Sequence, residues 1–407
     1  MAQYSVVSTD VRRILAAQAC RAFAYGFASV LLGVSLAQNG WSPGRVSLLL
    51  TAIIVGTAMA TIIVGTYGDR FGRRRTYAVL FAGLAFSGIA FAFSDEFWVL
   101  VTVALMGALS TDVVESGPFT TLEQAMLPQG AVGRERTRIF GVYNAIATVA
   151  GSLGALMAGG PSLLRDQLSG APADERFFLV LVPAGLAGLM IAISLTSAIE
   201  TAPRESRYFL PLKRSRSTVL RLSGLFAIDA FGGGFIVQSF IAYWFSVKFD
   251  VSTEVIGAMF FAVGMLQSAS FIAATRIADR IGLLNTMVFT HLPSNVLLAA
   301  IPLAPSLSVA IALLLGRFAL GQMDVPTRQA YVAALIPADE RTAAVAYTNS
   351  ARYGTRPVGA ALAGVAQQAA IGLPFFIGGG VKIGYDIAIW LWFRRVELPD
   401  EQEEAAK

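Results

Sequence analysis

Twelve apolar stretches, each able to form one membrane-crossing helix of about 20 residues, follow one another along this chain. Only 14% of its 407 residues are charged, whereas a soluble protein carries about a quarter. The sequence therefore predicts an all-α membrane protein with twelve transmembrane helices. We number these spans 1 to 12 and place them at 12–37, 45–65, 76–93, 97–122, 138–160, 177–198, 218–244, 254–275, 283–302, 307–332, 343–370 and 374–393.

Basic residues lie mostly on one side of these spans. The side that holds both termini, the loop 66–75 and the linker 200–217 receives 20 lysines and arginines, and the opposite loops receive 4. Loops rich in lysine and arginine stay in the cytoplasm, where they face anionic lipids. We therefore expect a multi-pass protein of a bacterial inner (plasma) membrane, with both termini in the cytoplasm.

The loop between spans 2 and 3 has an unusual sequence. Residues 65–75 read GTYGDRFGRRR and lie between two runs that are almost free of charge. A generic cytoplasmic loop needs basic residues, but it needs neither the aspartate nor the glycine spacing. The pattern Gly-x-x-x-Asp-Arg-x-Gly-Arg-Arg resembles the loop between helices 2 and 3 of the major facilitator superfamily. The positions that carry this resemblance are Gly65, Asp69, Arg70, Gly72, Arg73 and Arg74.

Landmarks of the first half recur in the second half at offsets of 205 to 210 residues. Residues 69–72 recur as 279–282, and in a similar register Arg21 corresponds to Asp229. A parallel duplication of six-helix units is the architecture that the resemblance implies. We expect two pseudo-symmetric six-helix bundles, the first at 1–199 and the second at 218–395. A cytoplasmic linker at 200–217 joins them, and a cytoplasmic tail follows at 396–407.

Several functional classes are excluded by features that the sequence lacks. No Gly-Lys-Ser/Thr follows the glycines at 232–234, so there is no phosphate loop and transport must use ion or solute gradients. One cysteine, Cys20, and one histidine, His291, allow neither a disulfide framework nor a Cys/His metal site. No basic stripe with interleaved aromatic residues indicates a nucleic-acid partner. We expect a transporter, not an enzyme, with no cofactor and no metal.

Ionisable side chains inside membrane spans are unfavourable, so each is a functional candidate. The resemblance implies that helices 1, 4, 7 and 10 line a central cavity, and here all four carry charge. We expect Arg21 and Asp229 to lie at matching depth, either as a salt bridge that opens during transport or as a permanent ion pair. The predicted substrate-cavity residues are Arg21, Tyr25, Asp229, Gln238, Arg317, Asp324, Arg352 and Arg356.

Two carboxylates share one face of span 4. Asp112 and Glu115 lie three residues apart, just before Gly117 and Pro118, where the missing proline amide would kink the helix. Two carboxylates this close in a low dielectric do not both ionise easily, which is what a proton-coupling site needs. The other interpretation is that they pair with arginines and never titrate. The predicted coupling residues are Asp112, Glu115 and Asp229.

Glu123 ends span 4 near the loop 65–75. We interpret it, paired with Arg73 or Arg74, as part of a latch that favours the outward-open state. The other interpretation is a solvated helix end. The predicted latch residues are Gly65, Asp69, Arg70, Gly72, Arg73, Arg74 and Glu123.

Spans 9 and 12 also carry ionisable residues. His291 lies on a helix that is peripheral in this superfamily, and we expect a hydrogen-bonded structural histidine there rather than a proton carrier. Lys382 and Asp386 lie four residues apart on span 12, which places them on one helix face.

Residues 315–321 read LGRFALG and resemble the arginine-then-glycine motif of helix 4 in the 12-helix drug:proton antiporter branch, although here the motif falls in span 10. We predict proton-coupled efflux of a small organic compound by alternating access, carried out by a monomer in the lipid bilayer. The partners are then the substrate and protons. The alternative is uptake or exchange of an organic anion through an arginine-lined cavity, because arginine forks suit carboxylates and phosphates.

Overall fold

A computed structural model describes most of the chain, namely residues 9–38, 40–110, 117–127, 134–161, 174–200, 212, 214–336 and 340–396. These ranges contain fifteen α-helices and no strand. The helices are α1 Thr9–Gln38, α2 Pro43–Phe71, α3 Arg73–Phe93, α4 Phe97–Leu105, α5 Gly117–Met126, α6 Arg134–Met157, α7 Leu181–Ser194, α8 Arg216–Gly234, α9 Gln238–Phe249, α10 Thr253–Ile281, α11 Leu283–Ala300, α12 Leu307–Gly321, α13 Asp324–Leu335, α14 Arg341–Ala369 and α15 Leu373–Phe393. Short 3₁₀ turns occupy Asp174–Val180, Ser197–Ile199 and Ile301–Leu303.

Eight helical segments among the described residues are long and apolar enough to cross a membrane. They correspond to the predicted spans 1, 2, 3, 6, 7, 8, 9 and 10. Span 5 appears as a shorter apolar helix, Val142–Met157. The predicted all-α membrane class is confirmed, and eight of the twelve predicted spans meet this criterion of length and composition.

Among the described residues, spans 4, 7 and 10 each contain two helices. Span 4 contains α4 and α5, span 7 contains α8 and α9, and span 10 contains α12 and α13. Pro118 lies in α5 directly after Gly117, whose φ is +57°. Because residues 111–116 lie outside the described part of the chain, the kink predicted at Pro118 stays a prediction. Asp112 and Glu115 lie outside the described residues.

The chain divides into two compact units. Unit 1 consists of residues 1–206 with 238–264, and unit 2 of residues 207–237 with 265–407. In unit 1, α1 packs against α6 and α9, and α3 packs against α7. In unit 2, α8 packs against α14 and α15, and α11 packs against α12, α13 and α15. The units therefore differ from the predicted bundles in one respect: α9 and the first part of α10 group with the first half of the sequence.

The contact between α1 and α6 depends on glycine. A Cβ atom at Gly26 would collide with the backbone carbonyl oxygen of Gly151, and one at Gly154 would collide with that of Phe23. Helices that approach this closely need residues without side chains at the crossing point. Gly26, Gly151 and Gly154 therefore fix the position of α1, the helix that carries Arg21.

Replacing Gly26 by valine should push α1 away from α6. We expect the free energy of unfolding to fall by about 1 to 3 kcal/mol, the usual effect of overpacking, measured by thermal unfolding of the purified protein in detergent. Gly224→Ala is the matched control, because a Cβ at Gly224 meets no neighbour and alanine favours the helix. Equal unfolding midpoints for Gly26→Val and wild type would contradict the close approach.

Candidate functional site

A buried carboxylate forms the polar centre of unit 1. Glu123 on α5 accepts hydrogen bonds from Arg21, at 2.8 Å from Nη2 to Oε2 and 3.3 Å from Nε to Oε1. The hydroxyl of Tyr77 donates to Oε1 at 2.7 Å, and that of Tyr143 donates to Oε2 at 2.6 Å. All four side chains are fully buried. Both oxygens of Glu123 are therefore satisfied by this set, which we call the Glu123 cluster.

Aromatic rings enclose the guanidinium of Arg21. Its Cζ atom lies 5.5 Å from the ring centroid of Tyr25 and 5.5 Å from that of Phe119. The Tyr25 hydroxyl is itself occupied, because it donates to the carbonyl of Ala108 at 2.7 Å. A guanidinium that is paired with a carboxylate and flanked by rings is stabilised inside low dielectric. The Glu123 cluster thus ties α1 to α5.

These contacts correct one prediction, that Glu123 pairs with Arg73 or Arg74. The predicted pair of Arg21 with Asp229 stays a prediction. In the structure Arg21 and Glu123 pair with each other within unit 1, at the contact between α1 and α5. The physical reason is that Glu123 points into the helix packing and is fully buried, whereas we had placed it at a helix end near the loop.

The loop arginines bind the ends of neighbouring helices. Arg73 donates to the carbonyls of Ala125 and Ile199 at 3.1 and 3.4 Å, and Arg74 donates to that of Ile193 at 2.8 Å. Cations are favourable there because the last carbonyls of a helix carry partial negative charge. Glu200 interacts with the opposite end of a helix, at the start of α3. Its carboxylate accepts hydrogen bonds from the backbone amides of Arg73 and Arg74 at 2.8 and 3.1 Å. The loop is thus tied to α5 and to the residues that follow α7.

The remaining latch residues have different environments. Gly72 adopts a φ of +88° between α2 and α3, a conformation that favours glycine. Arg70 is exposed and lies 5.9 Å from the ring of Tyr67. Gly65 lies within α2, and the side chain of Asp69 lies outside the described residues.

Unit 2 contains a larger set of buried charges centred on Asp229 of α8. Lys382 Nζ lies 2.5 Å from Asp229 Oδ1, and Arg328 Nη1 lies 3.5 Å from Asp229 Oδ2. The same Arg328 nitrogen lies 2.9 Å from Asp324 Oδ2. Asp229 and Asp324, both predicted cavity residues, are therefore brought together through Arg328, which we had not predicted as a partner.

A histidine connects Asp229 to a further carboxylate. His291 Nδ1 lies 2.7 Å from Asp386 Oδ1, and His291 Nε2 lies 4.0 Å from Asp229 Oδ1. Asn295 donates to the other oxygen of Asp386 at 2.8 Å. We call the whole set the Asp229 network; it consists of Asp229, His291, Asn295, Asp324, Arg328, Lys382 and Asp386, all of them buried.

The Asp229 network has spare hydrogen-bonding capacity. Asp324 Oδ1, Asn295 Oδ1 and the hydroxyl of Tyr385 are buried and have no hydrogen-bond partner within the described ranges. Buried polar atoms are normally satisfied. The Asp229 network thus has more unsatisfied polar atoms than the Glu123 cluster. These atoms can accept hydrogen bonds from an additional group or donate to it.

The structure corrects the predicted environment of His291. It is hydrogen-bonded, as we expected, but it lies in the buried centre of unit 2 and not at the periphery. The physical reason is a polar stripe on α11, in which Thr290, His291, Ser294 and Asn295 are all buried. Three helices carry a polar pair four residues apart in this network, and that spacing was the available sequence signal: His291 with Asn295, Asp324 with Arg328, and Lys382 with Asp386.

The other predicted cavity residues lie outside these two clusters. Arg317 on α12 is half-buried and stacks over the ring of Phe318 at 4.4 Å. Arg352 and Arg356 are half-buried on α14, which packs against α8. Gln238 is half-buried at the start of α9 in unit 1.

Comparison with protein families decides the class of the chain. Residues 14–360 match the family model of the Major Facilitator Superfamily. The chain belongs to the major facilitator superfamily. The match confirms the resemblance drawn from residues 65–75, and with it the prediction of a transporter that is not an enzyme.

Individual proteins agree with this membership. The uncharacterized membrane protein YJR124C of Saccharomyces cerevisiae is 24% identical over 431 residues, which cover 97% of this chain and 96% of the yeast protein. The multidrug efflux pump Tap of Mycobacterium tuberculosis is 30% identical over 141 residues, 31% of this chain and 33% of the pump. The crystal structure of the human organic anion transporter MFSD10 (TETRAN) superposes with a TM-score of 0.65 at 18% identity, covering 93% of this chain and 98% of that one. This last likeness shows the major facilitator fold.

The Glu123 cluster predicts strong coupling between Arg21 and Glu123. We expect Arg21→Met and Glu123→Gln each to lower the free energy of unfolding by about 3 to 5 kcal/mol, because each leaves a buried charged or polar partner unsatisfied. The double variant should lose clearly less than the sum of the two. The measurement is unfolding of the purified protein in detergent, with the exposed Arg70→Met as the control. Strict additivity would show that the pair is not coupled.

Proposed function

We propose that this major facilitator is a proton-coupled transporter that exports a small organic compound by alternating access. The observation that carries the proposal is the Asp229 network. Two of its three buried carboxylates, Asp229 and Asp324, lie within 4 Å of the cations Lys382 and Arg328, and the third, Asp386, contacts His291. Ionisable residues inside spans mark ion pathways and proton relays. The network supplies groups that can gain or lose a proton without exposing an unpaired charge to lipid.

The two buried clusters differ in how well they suit coupling. In the Glu123 cluster, one carboxylate is held by Arg21 and two tyrosines. In the Asp229 network, Arg328 lies within 4 Å of both Asp229 and Asp324. A shared cation can shift towards one carboxylate when the other is neutralised. The Asp229 network is therefore the better candidate for a site that changes during transport.

Similarity to a named efflux pump supports export. The Mycobacterium tuberculosis protein Tap is named a multidrug efflux pump, and its similarity extends over 31% of this chain. We also propose, from the uneven distribution of lysine and arginine, that both termini lie in the cytoplasm. A bacterial inner membrane and a monomeric state stay predictions.

The test is substrate-dependent proton flux in proteoliposomes with a pH-sensitive dye inside. The compound panel contains lipophilic cations, neutral drugs and organic anions. We expect flux with cations or neutral compounds, and we expect Asp229→Asn to lower it at least about tenfold, because Lys382 and Arg328 then lack their shared carboxylate. The variants Asp112→Asn and Glu115→Gln test the coupling role predicted for span 4.

Asp250→Asn is the matched control, because Asp250 is an exposed loop carboxylate outside the network. It should retain the flux of wild type within about twofold. Substrate transport that moves no protons with any compound of the panel would contradict proton coupling.

Arg317 supports a second candidate, exchange or uptake of an organic anion. Its Nε atom is buried without a hydrogen-bond partner, and among the described residues its guanidinium forms no ion pair with a carboxylate. A half-buried arginine in this situation suits the carboxylate or phosphate of a substrate. Arg352 and Arg356 add positive charge to the same unit.

The anion candidate makes its own prediction. If anions are the substrates, flux should occur only with the anions of the panel and should fall at least about tenfold in Arg317→Ala, because the paired charge of the substrate is lost. Arg221→Ala, an exposed arginine of α8, is the matched control and should leave flux unchanged. Unchanged anion flux in Arg317→Ala would exclude this arginine as the anion-binding group.

A further inference from the structure

We propose that His291 carries the transported proton, held in place by Asp386 and Asn295 and facing Asp229. The inference rests on the proposed proton coupling and names the group that performs it. His291 is buried between two carboxylates that come from two other helices, Asp386 of α15 and Asp229 of α8. Imidazole is the side chain whose charge changes most readily in the physiological pH range.

The two ring nitrogens have different partners. Nδ1 lies 2.7 Å from Asp386 Oδ1 and 3.2 Å from Nδ2 of Asn295, and we assign to Nδ1 a hydrogen that it donates to the carboxylate in both charge states of the ring. The coupling proton therefore binds at Nε2, the nitrogen that lies 4.0 Å from Asp229 Oδ1. Asn295 fixes the carboxylate of Asp386 by donating to its other oxygen at 2.8 Å. Asp386 and Asn295 are thus positioning residues, and Nε2 is the binding atom.

The charges in contact with one another explain why the network would bind a proton. Asp229, Asp324 and Asp386 contribute three negative charges, and Lys382 with Arg328 contributes two positive charges. Among these five groups alone, a neutral imidazole leaves one net negative charge, and an imidazolium balances it. Since an isolated net charge in low dielectric is unfavourable, a proton at His291 stabilises the network.

Asp229 is a poorer proton acceptor than His291 in this arrangement. Its Oδ1 atom already lies 2.5 Å from Lys382 Nζ, and its Oδ2 atom lies 3.5 Å from Arg328 Nη1. Protonating Asp229 would leave Lys382 without its anionic partner. Protonating His291 adds a partner for Asp229 and removes none.

Further charged and titratable groups face this site from the surrounding helices. Arg352 of α14 and Arg317 of α12 interact electrostatically with Asp229 and add positive potential that opposes protonation. The contacts with Asp386 and Asp229 must outweigh this effect. The other titratable groups on the elements packed here are Tyr331 of α13 and Tyr385 of α15, and the ring of Tyr385 lies 6.0 Å from that of His291.

Release of the proton gives the transporter a way to change shape. With Nε2 deprotonated, its lone pair faces the oxygen of Asp229 and repels it. Asp229 then keeps its ion pairs with Lys382 and Arg328, and its contact with His291, which links α8 to α11, is lost. Proton binding and release at one atom thereby alter the packing of helices from spans 7 and 9.

The chain offers a direct test because it contains one histidine. Full-length protein labelled with ¹³C,¹⁵N-histidine and reconstituted in lipid vesicles gives NMR signals from a single imidazole. We expect the ring signals to change between those of the neutral form and those of the charged form when the vesicles are titrated. In Asp386→Asn the proton should bind at least about tenfold more weakly, because the anionic partner is removed. A ring that keeps one form throughout the titration overturns the inference.

A second experiment measures substrate transport by His291→Gln, whose side chain keeps a hydrogen-bond donor and cannot become charged. Accumulation driven by a pH gradient should fall at least about tenfold, while exchange of substrate without a gradient should stay within about threefold of wild type. Asn285→Gln on the same helix is the matched control, because Asn285 lies outside the network.

The outcomes separate the two proposals. If wild type accumulates substrate with a pH gradient and His291→Gln does so equally well, His291 is not the carrier but proton coupling stands. If wild type shows no such accumulation, proton coupling and the role of His291 both fail. Loss of exchange as well as accumulation in His291→Gln would indicate a structural role and would also overturn the inference.

Discussion

A carboxylate inside the hydrocarbon core is stable only when other groups of the protein satisfy it, and this requirement organises both units of the structure. Glu123 is satisfied by one arginine and two tyrosines. Asp229 is satisfied by cations that also serve other carboxylates, with Arg328 shared between Asp229 and Asp324. The first arrangement has little freedom to rearrange, because each oxygen has its own donors. The second can redistribute its contacts, and we therefore place coupling there.

Each unit has one of its buried charges on a short helix. Glu123 lies on α5 and Arg328 on α13, the second described helix of span 4 and of span 10 respectively. Glu123 faces Arg21 of α1 in unit 1, and Arg328 faces Asp229 of α8 in unit 2. Gly117, which precedes Pro118 in α5, has a φ of +57°, a conformation that favours glycine.

The sequence was sufficient to predict the fold but only part of the site. The lengths of the apolar spans and the sequence of the 65–75 loop predicted a major facilitator. Both can be recognised from consecutive residues, without knowing how the helices pack. Asp229 and Asp324 were recognised because a charge within an apolar run is visible in the sequence. Their partners were not, since pairing depends on how each helix is rotated about its axis. His291 was misplaced for this reason, and the role of Asp112 and Glu115 remains a prediction.

Arg21 and Asp229 occupy equivalent positions in the internal repeat. Each forms an ion pair within its own unit, but the signs of the charges are inverted. In unit 1 the cation is on α1 and the anion on α5, whereas in unit 2 the anion is on α8 and the cation on α13. This inversion bears on how the chain assembles after insertion. The position on α13 that corresponds to Glu123 in the repeat is Val332. Exchanging α5 and α13 between the halves would therefore leave Arg21 without its carboxylate, and a buried unpaired charge costs several kcal/mol. The charge pairs thus disfavour an exchange of partners between the duplicated segments while the protein folds in the bilayer.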